Sequence, residues 1–111
     1  MNLLFLCSMN QWRSPTAERI YASHPGINVR SAGLSSSAVR RVSERDIEWA
    51  DQIFVMEIEH KRRLKQQFRD AAQYARIHVL DIPDEYALMD QELIEQIKTG
   101  VVGVIPELRG D

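Results

Sequence analysis

The sequence predicts an α/β fold of three layers, a small four-stranded parallel sheet flanked by helices on both faces. Two observations carry this. Leu3 to Leu6 is an unbroken apolar run, the mark of a strand buried on both faces. Three further stretches read as strands, Ile27 to Arg30, Gln52 to Met56 and Ile77 to Leu80, and segments that read as helices separate them. Such alternation of strands and helices favours parallel pairing with helical crossovers.

The elements follow in order. After the first strand, Cys7 to Arg13 is of mixed polarity and reads as a loop. Ser14-Pro15 reads as a helix start, Ser as N-cap and Pro at the first helical position. Ala17, Ile20 and Tyr21 share one side of that helix, and His24-Pro25-Gly26 ends it. Ile27 to Arg30 is the second strand, with Ser31-Ala32-Gly33 as the loop leaving it and the Ser-rich Leu34 to Ala38 as further loop. Ser43-Glu44-Arg45-Asp46 has the form of a capping box opening a short helix. Gln52 to Met56 is the third strand. Glu57 to about Phe68 is a charged helix with Ile58, Leu64 and Phe68 as its apolar contacts. Ile77 to Leu80 is the fourth strand, followed by the turn-rich Asp81-Ile82-Pro83-Asp84-Glu85-Tyr86. Asp90 to about Thr99 is the last helix, with Leu93, Ile94 and Ile97 facing inward.

Composition narrows the function. The 111 residues suit one domain spanning 1–111, and the 44% apolar and 27% charged content is that of an ordinary globule. Fourteen Lys and Arg against sixteen Asp and Glu give a net charge of −2, which offers no electrostatic case for nucleic acid or an anionic membrane. The apolar start has no basic flank and is shorter than the h-region of about 7–15 residues that a signal peptide needs. No stretch reaches the roughly 18 apolar residues of a membrane span. The single Cys7 excludes an intramolecular disulfide and a multi-Cys zinc site. It fits a reducing cytoplasm, the expected location, or a thiol kept for chemistry.

In open parallel sheets, ligands bind beyond the carboxyl ends of the strands. There the chain reads Cys7-Ser8-Met9-Asn10-Gln11-Trp12-Arg13-Ser14-Pro15, a cysteine, five residues, an arginine, then a helix. A loop entering a helix N-terminus aims free N–H groups at one spot, and the helix dipole favours an anion there. The expected result is a phosphate-binding loop after the first strand. Arg13 adds a planar two-pronged grip on an oxyanion. The positive potential of that place favours the thiolate of Cys7, a nucleophile in line with bound phosphorus. Ser14 is placed to donate a hydrogen bond to the thiolate. A lone Cys is more often a small buried hydrophobe, and the spacing alone is weak evidence. Its position between a buried strand and a Ser-Pro helix start is the specific signal.

These residues resemble the low-molecular-weight protein tyrosine phosphatase family, which carries Cys-x5-Arg-Ser-Pro-x-Ala-Glu after its first strand. This chain has Cys7 and then Arg13-Ser14-Pro15-Thr16-Ala17-Glu18, with Asn10 at the family's loop Asn. Val29-Arg30-Ser31-Ala32-Gly33 looks like the family's second strand and Ser-Ala turn, with Asn10 and Ser31 supporting the loop. Val39-Arg40-Arg41-Val42 and Asp51 to Leu64 look like its third strand and following helix. The resemblance implies a double displacement without metal or cofactor. Cys7 attacks phosphorus, the loop amides of Ser8, Met9, Asn10, Gln11, Trp12 and Arg13 together with the Arg13 side chain hold the phosphoryl group, and a carboxylic acid protonates the leaving phenolate. Water then releases inorganic phosphate. The implied partner is a phosphorylated protein or small phosphoester, with Tyr86 and Trp12 flanking an aromatic ester.

The departures are specific. Typical members are longer by some tens of residues, and the loss falls between Gly33 and Ala38 and between the fourth strand and the acid loop, which implies a more open site. Met9 stands at a usual Gly, and Trp12 replaces the second loop cysteine of many members, so Cys7 has no thiol neighbour. The family's acid directly precedes a proline. Here Ile82 intervenes, leaving Asp81 as the favoured acid, at the end of the fourth strand, and Asp84 as the alternative.

Rival functions stay open. An arsenate reductase on this scaffold would have to borrow an external thiol. The phosphocarrier domains of sugar transport systems lack an Arg at this spacing. A non-catalytic receptor for phosphorylated ligands is the third. His24, His60 and His78 fall on a loop, a helix surface and a strand, without ligand spacing, so no metal site is expected. His60-Lys61-Arg62-Arg63 follows Glu57 and Glu59 and reads as a solvated, partly paired helix face. Trp49 reads as core or near-core.

Overall fold

The computed structural model describes residues 1–110. Its sheet has four parallel strands in the order β2-β1-β3-β4, with β1 at Asn2–Cys7, β2 at Asn28–Gly33, β3 at Gln52–Val55 and β4 at Ile77–Val79. The helices are α1 (Arg13–Tyr21), α2 (Glu44–Trp49), α3 (Ile58–Gln67) and α4 (Gln91–Val104), with a 3-10 turn at Pro106–Leu108. Central strand β1 is buried on both faces, as its unbroken apolar run requires. Its alternation sorts two cores. Leu3, Phe5 and Cys7 pack with Ala17 and Tyr21 of α1 and Leu93, Ile97 and Val101 of α4. Leu4 and Leu6 pack with Ile47 of α2 and Leu64 of α3. Phe5 stacks on Tyr21 and Phe54, which fixes β1 against α1 on one side and β3 on the other. Trp49 is partly buried at the edge of the second core, with the Arg30 guanidinium 4.1 Å above its ring.

The chain pairs β1 with β2 on one side and β3 on the other, so β1 marks the point where the winding reverses. The loops after β1, β3 and β4 open on the same sheet edge, where such folds place a crevice.

Several local expectations are corrected. Strand β2 runs on through Ser31, Ala32 and Gly33, which pair with Phe5, Leu6 and Cys7 rather than forming a loop. Their small side chains imitate a turn, yet all three are buried. No strand forms at Val39 to Val42; Arg41 makes one isolated bridge to Gly33. Helix α1 starts at Arg13, so Ser14 is its second residue and not its cap, and Pro15 still sits in the first turn where it forfeits no helical bond. Helix α4 continues to Val104, about a turn past the polar Lys98-Thr99-Gly100 that suggested an end, because Val101 is a core residue. On α3, Ile58 is 51% exposed instead of buried, and the core position belongs to His60 at 3%. The capping box of α2 forms as read, Ser43 N–H donating to Asp46 Oδ2 (3.0 Å) and Asp46 N–H to Ser43 Oγ (3.3 Å).

Candidate active site

The loop from Ser8 to Trp12 is shaped from outside by the segment that follows β2. The N–H groups of Leu34, Ser35 and Val39 donate to the carbonyls of Cys7, Ser8 and Met9, each at 3.0 Å. With its carbonyls engaged outward, the loop has its N–H groups free to face inward. Among the described residues no protein group accepts from the N–H of Ser8, Met9, Asn10, Gln11, Trp12 or Arg13. Together with the start of α1, these donors form a concave anion cradle. The turn of the loop passes through Asn10 at φ 57°, a left-handed conformation that Asn tolerates better than most residues. A Cβ on Gly33 would lie 2.5 Å from the Ser8 carbonyl oxygen and from Ala38 Cβ, so only glycine lets β2 and this segment approach so closely.

The side chains beneath the cradle form a directed relay. Ser31 donates to Glu18 Oε1, since a carboxylate can only accept. Ser31 Oγ therefore accepts from Asn10 Nδ2 at 3.0 Å, and the second Nδ2 hydrogen goes to Ser14 Oγ at 2.9 Å. The Ser14 proton then has two acceptors, Cys7 Sγ at 2.9 Å and the more distant Ala32 carbonyl at 3.5 Å, and a thiolate at Cys7 is the nearer and stronger of them. Ser14, Asn10, Ser31 and Cys7 are all buried.

Arg13 is buried too, and a buried guanidinium needs partners. Its Nη1 donates to Glu57 Oε2 at 2.6 Å and to the Ile82 carbonyl at 2.8 Å; Asp84 Oδ1 lies 3.7 Å from its Nε. Glu57 follows β3, and its N–H donates to Nδ1 of His60 at 3.1 Å. Burial, reinforced by Arg13, holds His60 down at a pKa of about 4. From α3, Arg63 Nη1 donates to Ser8 Oγ at 2.9 Å.

Cys7, Met9, Gln11, Trp12, Arg13 and Asp84 line one small cavity of about 30 Å³. Beside it runs an open groove of about 300 Å³, lined by Trp12, Asp84, Glu85, Tyr86 and Ala87. Trp12 and Asp84 belong to both, so the groove leads out of the cavity. Of the other residues singled out in the sequence, Asn10 and Ser31 lie beneath the loop rather than in the cavity, Ser8 turns to Arg63, and Tyr86 takes a hydrogen bond from Gln96 Nε2 at 2.6 Å. Of the two carboxylates near Pro83, the structure brings Asp84 to the cavity, not Asp81. Asp81 is exposed at φ 59°, where the chain leaves the sheet. The intervening Ile82 explains the shift. Its side chain enters the core, its N–H donates to the Met56 carbonyl (2.8 Å) and its own carbonyl takes Arg13, so the chain reaches the cavity two residues later.

Glu57, His60 and Arg63 were missed as site residues. The one available signal was that Glu57 directly follows a buried strand, on the same sheet edge as Cys7.

No protein-family model matches the sequence, and no curated protein does. Solved structures do. The YwlE arginine phosphatase from Geobacillus stearothermophilus superposes with a TM-score of 0.71 at 21% identity, over 99% of this chain and 97% of that one. A YwlE mutant described as carrying a phosphorylated active-site serine gives 0.74 at 20% identity, over 100% and 97%. The tyrosine phosphatase Wzb from Escherichia coli K30, in complex with phosphate, gives 0.76 at 17% identity, over 96% and 97%. A low-molecular-weight phosphotyrosine phosphatase from Vibrio cholerae matches at 0.69 and 19%, over 99% and 97%. What these identities establish is architecture: this chain has the fold of the low-molecular-weight phosphotyrosine phosphatases.

Proposed function

We propose that this chain is a cysteine-dependent phosphatase that hydrolyses phosphotyrosine or other aryl phosphate monoesters. The observation that carries the reading is the cavity that Cys7 shares with Arg13 and Asp84 under a cradle of unpaired N–H groups. The phosphoryl oxygens take the cradle N–H groups and the free edge of Arg13, a preorganised field for charge that grows in the transition state. The Cys7 thiolate attacks phosphorus, forming the S–P bond as the P–O bond to the leaving group breaks. Asp84 gives its proton to the departing oxygen. In the second step Asp84 takes a proton from water, which attacks phosphorus and expels the thiolate. The Ser14 hydroxyl, directed at Sγ by Asn10, stabilises the thiolate each time it is free. Inorganic phosphate leaves, and the partners are a phosphorylated protein or small phosphoester in the cytoplasm, where a lone thiol stays reduced.

The groove gives the leaving group its place. Trp12 and Tyr86 suit an aromatic ring. Asp84 and Glu85 line the same groove, which favours phosphoarginine as a second substrate reading, in keeping with the arginine phosphatase named among the structural matches.

The test is hydrolysis of p-nitrophenyl phosphate from mildly acid to neutral pH, beside Cys7→Ser and Arg13→Ala. The expected result is turnover in the wild type, blocked by vanadate and reduced at least about 10³-fold in both variants. Phosphotyrosine and phosphoarginine, compared by kcat/KM, then choose the leaving group. A wild type that binds vanadate without turnover would make the loop an anion receptor and end the catalytic reading.

A further inference from the structure

We propose that Glu57 is a positioning residue for this reaction, holding one edge of the Arg13 guanidinium so that the opposite edge faces the bound phosphoryl group. The inference rests on the phosphatase reading and deepens it. A guanidinium has five N–H donors in a fixed plane, two on each Nη and one on Nε. Both Nη1 hydrogens of Arg13 are committed to the protein, one to Glu57 Oε2 at 2.6 Å and one to the Ile82 carbonyl at 2.8 Å. Among the described residues no acceptor lies within hydrogen-bond distance of Nε or Nη2; Asp84 Oδ1 is 3.7 Å from Nε. Nε and Nη2 present two parallel N–H groups, the pair that grips two oxygens of a tetrahedral anion. Glu57 therefore selects which edge of Arg13 is spent on the protein and which is left for substrate.

Glu57 is itself held. It stands two residues past the end of β3, and its N–H donates to Nδ1 of the buried His60 at 3.1 Å. With Nδ1 accepting, the neutral imidazole carries its proton on Nε2, which lies 3.8 Å from Glu57 Oε2. The carboxylate is thus backed by α3 while it reaches across to Arg13, 44 residues away in sequence. The arrangement has two opposed consequences. A fixed guanidinium plane meets the transition state without reorganising, which raises kcat. A carboxylate 2.6 Å from Nη1 also weakens the attraction of the site for any anion, which limits binding of substrate and of phosphate.

Steady-state hydrolysis of p-nitrophenyl phosphate, with inorganic phosphate as competitive inhibitor, separates aim from mere support of the fold. Glu57→Ala should lower kcat about 10–100-fold, while KM and the phosphate inhibition constant stay level or fall. Glu57→Gln keeps an oxygen for Nη1 and should stay within about 5-fold of wild type. Glu57→Asp keeps the charge but loses one methylene of reach, and should lose more than Gln. Gln and Asp are mild changes, so their order stands as the test even where Ala fails to fold. In an Arg13→Lys background there is no guanidinium edge to hold, and Glu57→Ala should add less than about 3-fold. Asp performing as well as Gln or better, Ala leaving kcat within 3-fold, or Ala costing the same factor in the Arg13→Lys background would each overturn the proposal with the phosphatase reading intact. A wild type without turnover removes both.

Discussion

Two segments of this molecule face the same cavity and are built by opposite rules. The Cys7–Arg13 loop is fixed from every side. Three of its carbonyls are bonded to residues 34–39, its Asn10 is held by Ser14 and Ser31, and its arginine by Glu57 and Ile82. The segment from Leu80 to Asp90 is fixed at its ends. Leu80 and Ile82 donate to Val55 and Met56, and Met89 N–H donates to Thr16 Oγ1 at 2.9 Å. Between them Pro83, Asp84 and Glu85 are exposed, Asp84 by 57%. On the proposed mechanism the difference separates two tasks. Holding the charge of a transition state requires donors already in place, whereas delivering a proton requires a carboxylate that solvent can reprotonate between steps. It follows that damage to the loop should affect fold and turnover together, and damage to the exposed segment turnover alone.

The sharpest way to break that contrast is at the two carboxylates. Asp84→Asn should lower kcat about 10²–10⁴-fold, the usual worth of a positioned proton donor. Its thermal stability should stay within about 1 kcal/mol of wild type, since Asp84 is exposed and its ionic contact, 3.7 Å from Arg13 Nε, is long. Asp81→Asn should leave kcat within about 3-fold, since Asn accepts the left-handed backbone at that position. A larger loss at Asp81 than at Asp84, measured on the same aryl phosphate, would move the acid back to the strand end.

Gly33→Ala probes the other side. The new Cβ meets the Ser8 carbonyl oxygen at 2.5 Å, and backbone cannot swing aside as a long side chain can. Over-packing of this kind costs about 1–3 kcal/mol. The displaced loop should also lose turnover by at least about 10-fold, because small misplacements of reacting groups are expensive. Full activity with a lowered melting temperature would show that the loop is less dependent on β2 than its hydrogen bonds imply.

The same two segments differ in how far the sequence revealed them. The buried apolar strand, the Cys7–Arg13 spacing and the helix after it are local features, and the sheet class followed from simple alternation of elements. Ser31-Ala32-Gly33 read as a loop because small residues mark turns; in the fold Gly33 is small because the cradle lies against it, and Ser31 holds Asn10. His60 read as helix surface because it stands in a run of charges, whereas the helix turns it inward toward Glu57 and Arg13. Glu57 could not be recognised as a partner of Arg13 from a separation of 44 residues without the sheet order. The choice between Asp81 and Asp84 depended on where Ile82 goes, and only packing decides that.

A titration tests the fixed side again. Unfolded, His60 takes up a proton near pH 6.5; folded, not until about pH 4, because burial and then Arg13 oppose its charge. Across that window the unfolded state binds more protons, so stability is full above about pH 6.5 and falls as the pH drops toward 4. Between pH 7.5 and pH 5 this one group should remove about 2 kcal/mol. Urea midpoints of the wild type and His60→Gln at both values check it: the variant should lose correspondingly less. Equal losses in both would place the acid sensitivity elsewhere.

The smallest effect concerns the middle of the exposed segment. Gln96 Nε2 donates to the Tyr86 hydroxyl at 2.6 Å, a tether in the middle of a segment whose other polar approach to the body of the protein, among the described residues, is Asp84, 3.7 Å from Arg13 Nε. The Gln96 bond joins the segment to α4, away from the cradle. Tyr86→Phe removes the hydroxyl and keeps the ring in the groove, so it tests tethering apart from contact with the leaving group. A single part-buried hydrogen bond contributes on the order of 0.5–1.5 kcal/mol, and little of that reaches the global fold when both ends of the segment stay anchored. The melting temperature should therefore stay within about 2 °C, while kcat falls about 2–3-fold and the loss deepens with poorer leaving groups, such as phenyl phosphate, that depend more on the Asp84 proton. A uniform loss across leaving groups would mean that Tyr86 acts by contact with the substrate and not by steadying the acid. A loss of stability without a change in rate would mean that this stretch belongs to the rigid half of the site after all.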